Sequence, residues 1–159
     1  DADLPQLIAK HENVVITTGM IKENKLRVKL YETARKNGAI FPVIISPLAH
    51  VSKHAKIGKG TVVMHHALVN AGSVVGENCI LNTKSLIEHD STIGNHCHIS
   101  TGSIVNGDCN IGDHVMVGSN SVVLQSKKIT SHVVIGAGAV VVKDINQACT
   151  VVGNPAEAI

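Results

Sequence analysis

Aromatic side chains are nearly missing from this sequence: there is no tryptophan, and Tyr31 and Phe41 are single examples of their kinds. A core without rings must be narrow and regular, filled in layers by branched aliphatics. An excess of one charge is missing too. Lys and Arg number 14 against 12 Asp and Glu, so nothing advertises a nucleic-acid partner or an anionic membrane surface. No apolar run approaches the roughly 18 residues needed to cross a bilayer, and no charged-then-apolar leader opens the chain. A soluble, cytoplasmic protein is the expectation. The four cysteines (Cys79, Cys97, Cys109 and Cys149) lack C-x-x-C spacing, which leaves free thiols of a reducing compartment as the default.

What is present is aliphatic and periodic. Hydrophobic residues make up 44% of the 159 positions and mean hydropathy is +0.22, which excludes a disordered chain. Stepping by six from Ile45 through Val51, Ile57 and Val63 to Val141 meets only Ile, Val or Leu, at seventeen consecutive positions. Four residues after each comes a small side chain, as at Ala49, Thr61, Cys79, Ser91, Cys97 and Cys109. Gly, Asn and Asp crowd the places between, as in V-G-E-N and I-G-D-H.

A period of six fits neither a helix nor a plain alternating strand. It fits a short strand followed by a corner, with three units closing a triangular coil of about 18 residues. The aliphatic residue and the small residue two places before it point inward, and their neighbours point out. Stacked coils of this kind form a parallel β-helix, left-handed by the general behaviour of hexapeptide repeats, so the fold class is mainly β. Lys127 occupies a small-residue slot, which predicts a distorted coil there.

Residues 1–42 lie outside the repeat, and residues 43–159 contain it. Val14 to Gly19 reads as a buried strand, and Ile21 to Asn37 as a helix with Leu26, Leu30 and Ala34 on its apolar stripe and Gly38 as its stop. In outline this is half of a nucleotide-binding α/β unit, although no G-x-G-x-x-G precedes it. The alternative is a cap over the open end of the solenoid, with Val151 to Ile159 covering the other end.

The repeat also sorts the histidines. Cys97 falls in the inward slot, as do Cys79 and Cys109, and these read as core fillers. His89 falls on one corner, His96 on the next, and His98 outward on the third face. Adjacent corners are on the order of 15 Å apart by strand rise, so His89, His96 and His98 of one chain cannot share a metal with bonds near 2 Å. No metal is expected. Gly107 is one coil above His89, where its N–H is placed to meet an oxyanion. Asp90 follows His89 on the same corner, where a carboxylate orients the ring and raises its basicity. His96, His114 and His132 form a column along another corner, read as tolerant turn positions that could face a symmetry axis.

These marks resemble the bacterial hexapeptide-repeat sugar acyltransferases, a group of nucleotide-aminosugar N-acetyltransferases and sialic acid O-acetyltransferases. The matching stretches are L-N-T-K-S-L-I-E-H-D (Leu81 to Asp90), I-G-N-H-C-H-I-S (Ile93 to Ser100) and V-V-G-N-P-A (Val151 to Ala156). The resemblance implies that His89 is the general base, Asp90 its supporting acid and Gly107 the oxyanion donor. It further implies that His98 contacts acetyl-CoA, that Ser119 and Ala137 hold the pantetheine arm through backbone atoms, and that Asn82 and Gly19 contact the acceptor. A homotrimer with each site between two copies is implied as well. Members of the group begin with a strand, Gly-rich loop and helix; this sequence opens beyond them, so either the protein is shorter or that part lies outside it. Lys128, with Lys127, could meet CoA phosphates, and Glu157 stands where the group often has a base.

The leading expectation is therefore acetyl transfer from acetyl-CoA to the amine of a nucleotide-linked amino sugar, for surface glycan synthesis. The nearest rival acetylates a hydroxyl of sialic acid. A trimeric zinc hydratase on the same solenoid needs two histidines five residues apart, and this sequence has no such pair. A non-catalytic solenoid subunit is the remaining alternative.

Overall fold

Seventeen two-residue strands, each ending on one of the aliphatic positions from Ile45 to Val141, wind into a left-handed parallel β-helix. The computed structural model describes residues 3–21 and 24–159. Strands pair with those one coil away in parallel register, as Ile99 does with Val117 and with Leu81. Three faces result. The first holds Ile45, Val63, Leu81, Ile99, Val117 and Ile135; the second runs from Val51 to Val141; the third runs from Ile57 to Ile129.

The interior is the aliphatic ladder that the repeat predicts. Leu81, Ile87, Ile99, Val105, Val117, Val123 and Ile135 are completely buried, with Cys79 and Cys97 in the small slots between them. The thiols of Cys79 and Cys97 each donate to a carbonyl of the next coil, at 3.1 Å to Gly94 and to Gly112, and all four cysteines are free. Each corner from Gly60 to Gly138 turns through a residue in the left-handed region, with φ of 56° at His96 and 59° at Asp90 and His114. Asn, Asp and Gly suit that region; four histidines also occupy it. Coils approach so closely at the third corner that a Cβ on Gly94 would lie 2.6 Å from the Gly112 carbonyl carbon, which explains the I-G pattern there.

The distortion expected at Lys127 does not occur. Ile129 keeps its register with Ile111, and the Lys127 carbonyl still accepts from the Asn110 N–H while Lys127 itself is half-buried. The coil shortens later. Ile129 meets Ile145 and Ile135 meets Val151, each two residues early, because Ile145 follows Val141 by four positions instead of six. The strand Thr150–Val152 then pairs antiparallel with Glu157–Ala158.

The N-terminal piece departs from expectation in several respects. A short helix α1 (Leu4–Lys10) opens it, and α2 spans Lys25–Lys36 rather than starting at Ile21, with residues 22 and 23 outside those described. Val14 to Gly19 is not a strand: it is extended and half exposed, next to the bridge from Asn13 to Ile40. Its alternation, with Val14, Ile16 and Thr18 facing in, is that of a covered ribbon rather than a buried strand. The buried stripe of α2 is Arg27, Tyr31 and Ala34, whereas Leu26 is 58% exposed. Tyr31 stacks on Phe41 with centroids 4.2 Å apart, and with Ile8 and Ala34 they make a second, separate core.

Nor does this piece cap the open end. It docks along the flank, on the corner between the third and first faces. Tyr31 donates to Glu77 at 2.9 Å, and the Gly60 amide donates to the Phe41 carbonyl at 3.1 Å. The Asn24 amide, at the N-cap position of α2, leaves the helix uncapped and reaches the His96 carbonyl (2.9 Å) and His114 Nδ1 (2.8 Å). The histidine column is therefore covered in part by the chain's own helix at His96 and His114, while His132 stays exposed. Its rings stack at 5.1 and 4.6 Å, and Tyr31 meets His96 edge-on. Burial, followed by the charge of the next ring, lowers the pKa of both His96 and His114.

Candidate active site

The corner that follows Ile87 projects His89 outward, with 61% of its side chain exposed. Nδ1 lies 3.0 Å from the Asp90 carboxylate, which fixes the proton on Nδ1 and leaves the Nε2 lone pair free to accept one. One coil above, Gly107 makes room for the ring: a Cβ there would be 2.7 Å from Nε2. One coil below, Gly72 does the same for Asp90, whose carboxylate lies over it. Among the described residues none accepts a hydrogen bond from the Gly107 amide. Glu88, Asn106, Gln125 and Ser126 complete an open cleft of about 450 Å³ around the imidazole.

A second recess, of about 340 Å³, lies between the first face and the 15–19 ribbon. It brings together three residues far apart in sequence, Gly19, Asn82 and His98, with Arg27 and the apolar Val62, Met64 and Ile80. His98 points outward from its coil as the repeat predicts, yet it is only 8% exposed because the N-terminal ribbon covers it. Its Nδ1 bonds to the Met20 carbonyl at 2.8 Å, and Asn82 Nδ2 donates to Nε2 at 3.2 Å. Burial lowers the His98 pKa; the Met20 bond opposes this and the Arg27 charge adds to it. Gly19 does not sit at a helix start, since α2 begins six residues later, so its contribution here is an exposed backbone rather than a helix terminus.

Ser119 and Ala137 occupy the corner between the first and second faces, one coil apart, and among the described residues their amides have no acceptor. The expected site residues thus fall on three separate parts of one chain. His89, Asp90 and Gly107 share one corner; Gly19, Asn82 and His98 share the recess; Ser119 and Ala137 share another corner. Sequence reasoning missed Met20 and Arg27, which shape the recess. An arginine on a helix reads as solvated, and only its place in a buried stripe with Tyr31 signals otherwise.

Among the described residues no cluster of three or more His, Cys, Asp or Glu side chains could hold a metal, and no helix is long and apolar enough to cross a membrane.

A triangular hexapeptide solenoid that projects a carboxylate-linked imidazole beside an unobstructed glycine defines the class of hexapeptide acyltransferases. The bacterial transferase hexapeptide (six repeats) family matches residues 90–125. The acetyltransferase domain of PglB from Neisseria gonorrhoeae FA1090 is 34% identical, with TM-score 0.85, over 97% of this chain and 77% of that one. PerB from Caulobacter crescentus, in complex with CoA and GDP-perosamine, is 31% identical with TM-score 0.94, over 100% of this chain and 76% of that one. WeeI from Acinetobacter baumannii AYE is 28% identical with TM-score 0.90, over 99% and 76%. No curated protein sequence matches significantly. The chain belongs to the bacterial hexapeptide-repeat sugar acyltransferases.

Proposed function

We propose that this enzyme transfers the acetyl group of acetyl-CoA to the amine of a nucleotide-linked amino sugar, with His89 as general base. The observation that carries this reading is the His89 corner: an exposed imidazole, its Nδ1 bound by Asp90, its Nε2 beside the free amide of Gly107. The PglB acetyltransferase domain has been solved in complex with acetyl coenzyme A, and PerB with CoA and GDP-perosamine, which supports the choice of donor and acceptor class.

In this mechanism the acceptor nitrogen attacks the thioester carbonyl carbon while His89 Nε2 takes its proton. The new oxyanion accepts the Gly107 N–H, the C–S bond breaks, and the CoA thiolate leaves with the proton returned by His89. Asp90 stabilises the imidazolium in between. The base and the N–H donor should each contribute a factor of roughly 10² to 10⁴. His98 would contact the acetyl-CoA, Ser119 and Ala137 would offer their amides to the pantetheine arm, and Asn82 and Gly19 would contact the acceptor. Residues 1–42 serve as the partial nucleotide-sugar-binding piece in this reading.

The three groups of site residues lie on different parts of one prism, so a second copy is needed to assemble them. The outward residues support that. Leu68, Leu86, Ile104, Val122 and Val140 line the second face and Met116 and Val134 the first, whereas the third carries Lys56, Thr92, Asn110 and Lys128 beside Val74. A homotrimer that buries the two aliphatic faces accounts for the contrast. The setting we infer is cytoplasmic surface-polysaccharide synthesis, which the four free cysteines fit.

The test is acetyl transfer from acetyl-CoA to a panel of nucleotide-linked amino sugars, with free sialic acid alongside. Wild type should acetylate an amino sugar, and His89→Ala should lose about 10²- to 10⁴-fold in kcat while keeping its oligomeric state. A fully active His89→Ala variant, or transfer to sialic acid alone, would overturn the reading.

A further inference from the structure

A neutral imidazole carries one ring proton, and its place follows from what each nitrogen faces. A carbonyl oxygen only accepts, so the Met20 contact puts the His98 proton on Nδ1. Nε2 is then a lone pair, which agrees with the Asn82 amide donating to it. That amide cannot turn over without losing the bond its Oδ1 accepts from the Thr83 N–H at 2.8 Å. The recess therefore presents His98 as an acceptor, not as a donor to a carbonyl.

The fixed point behind this arrangement is Arg27, which is 2% exposed. Its Nη1 donates to the carbonyls of Ile16 (2.6 Å) and Thr18 (2.9 Å), and its Nε to that of Asn78 (3.3 Å) on the solenoid. Ile16, Thr18 and Met20 are alternate residues of one extended ribbon, so their carbonyls point to the same side. Arg27 takes the first two and His98 takes the third. Among the described residues Ile16, Thr18 and Met20 have no sheet partner, and Arg27 ties the ribbon to the coil. Arg27 is also the charged group acting on His98, and its positive charge opposes a second one on the ring.

We infer that Arg27 is a positioning residue: it fixes the ribbon whose Met20 carbonyl holds His98 as the Nδ1–H tautomer, so that the single Nε2 lone pair, held by Asn82 Nδ2 in the free enzyme, passes to an N–H of the cofactor's amide arm or of the acceptor when that ligand binds. This rests on the acetyltransferase reading for its kinetic consequence, but not for its spectroscopic one. Nitrogen-15 NMR of the histidine rings in the full chain reads the tautomer directly. Wild-type His98 should show a protonated Nδ1 and a lone-pair Nε2, and Arg27→Met should shift the ring toward the other tautomer. The KM of one substrate should rise about 3- to 10-fold, the size expected for one neutral hydrogen bond, with kcat changed less. Arg27→Lys, which keeps the charge but not the fork, should fall between the two.

The source of the N–H is read from which KM rises, that of acetyl-CoA or that of the acceptor. A protonated Nε2 in wild type overturns the inference, as does an Arg27→Met variant with unchanged melting temperature, ring spectrum and KM. Should Arg27→Met fail to fold, Arg27→Lys serves instead, and an unchanged ring spectrum and unchanged KM values in that variant refute the inference. Absence of acetyl transfer by wild type would sink the proposed function while leaving the ring spectrum to judge Arg27.

Discussion

In the solenoid the buried aliphatics from Val63 to Val123 meet counterparts 18 residues away, as Ile99 meets Val117, whereas the N-terminal piece buries Arg27, Tyr31 and Met20, which no repeat specifies. The first region is held by stacking of like on like. The second is held by a handful of unlike contacts: two rings, one guanidinium fork and one asparagine amide. The difference teaches where tolerance lies. A stacked aliphatic can be exchanged for another of similar volume, but Arg27 and Asn24 have no equivalents among their neighbours.

That contrast can be tested, starting with the largest effect. Ile99→Ala opens a cavity in a fully buried layer and should destabilise the solenoid by about 2–5 kcal/mol in denaturant unfolding. Gly107→Ala should cost about 10²-fold in kcat with little change in melting temperature, because the new Cβ displaces the exposed His89 ring rather than the core. Equal losses of stability in the two variants would erase the distinction between core and corner.

Asn24→Ala removes two hydrogen bonds that dock α2, and should loosen that helix by about 1–2 kcal/mol in hydrogen exchange while leaving the strands protected. Acid should act on the same seam. His96 and His114 have folded pKa values below the ordinary 6.5, so the unfolded state binds more protons as pH falls. Their contribution is complete above about 6.5 and declines as pH drops below it toward the folded values. Faster exchange in α2 at pH 5.5 than at pH 7.5, after correction for intrinsic rates, is the expected reading. The smallest effect is for Leu26→Ala, within about 0.5 kcal/mol, because that side chain faces water.

Legibility in the sequence followed the same division. The seventeen aliphatic positions could be read as strands because each coil repeats the same local problem with the same solution. The His89 corner was legible for the same reason: a fixed period places Gly107 above it without further information. The helix stripe was misread because Arg27 and Tyr31 are buried by specific partners, Asn78 and Glu77, that lie on the other region of the chain. Lys127 was misread because a long side chain can lay its stem along the slot and carry its charge outward, which leaves the residue half-buried and the strand register intact.

What the sequence alone determined is the prism, since a six-residue period in aliphatic burial admits one stacking geometry and fixes which residues share a corner. What only the tertiary structure decided is the covering of the first face. The ribbon from Ile16 to Met20 folds over His98 and turns an outward histidine into a buried one with a defined tautomer. Repetition carries its own spatial information along the chain, while a contact between residues 78 positions apart depends on a shape that exists only after folding.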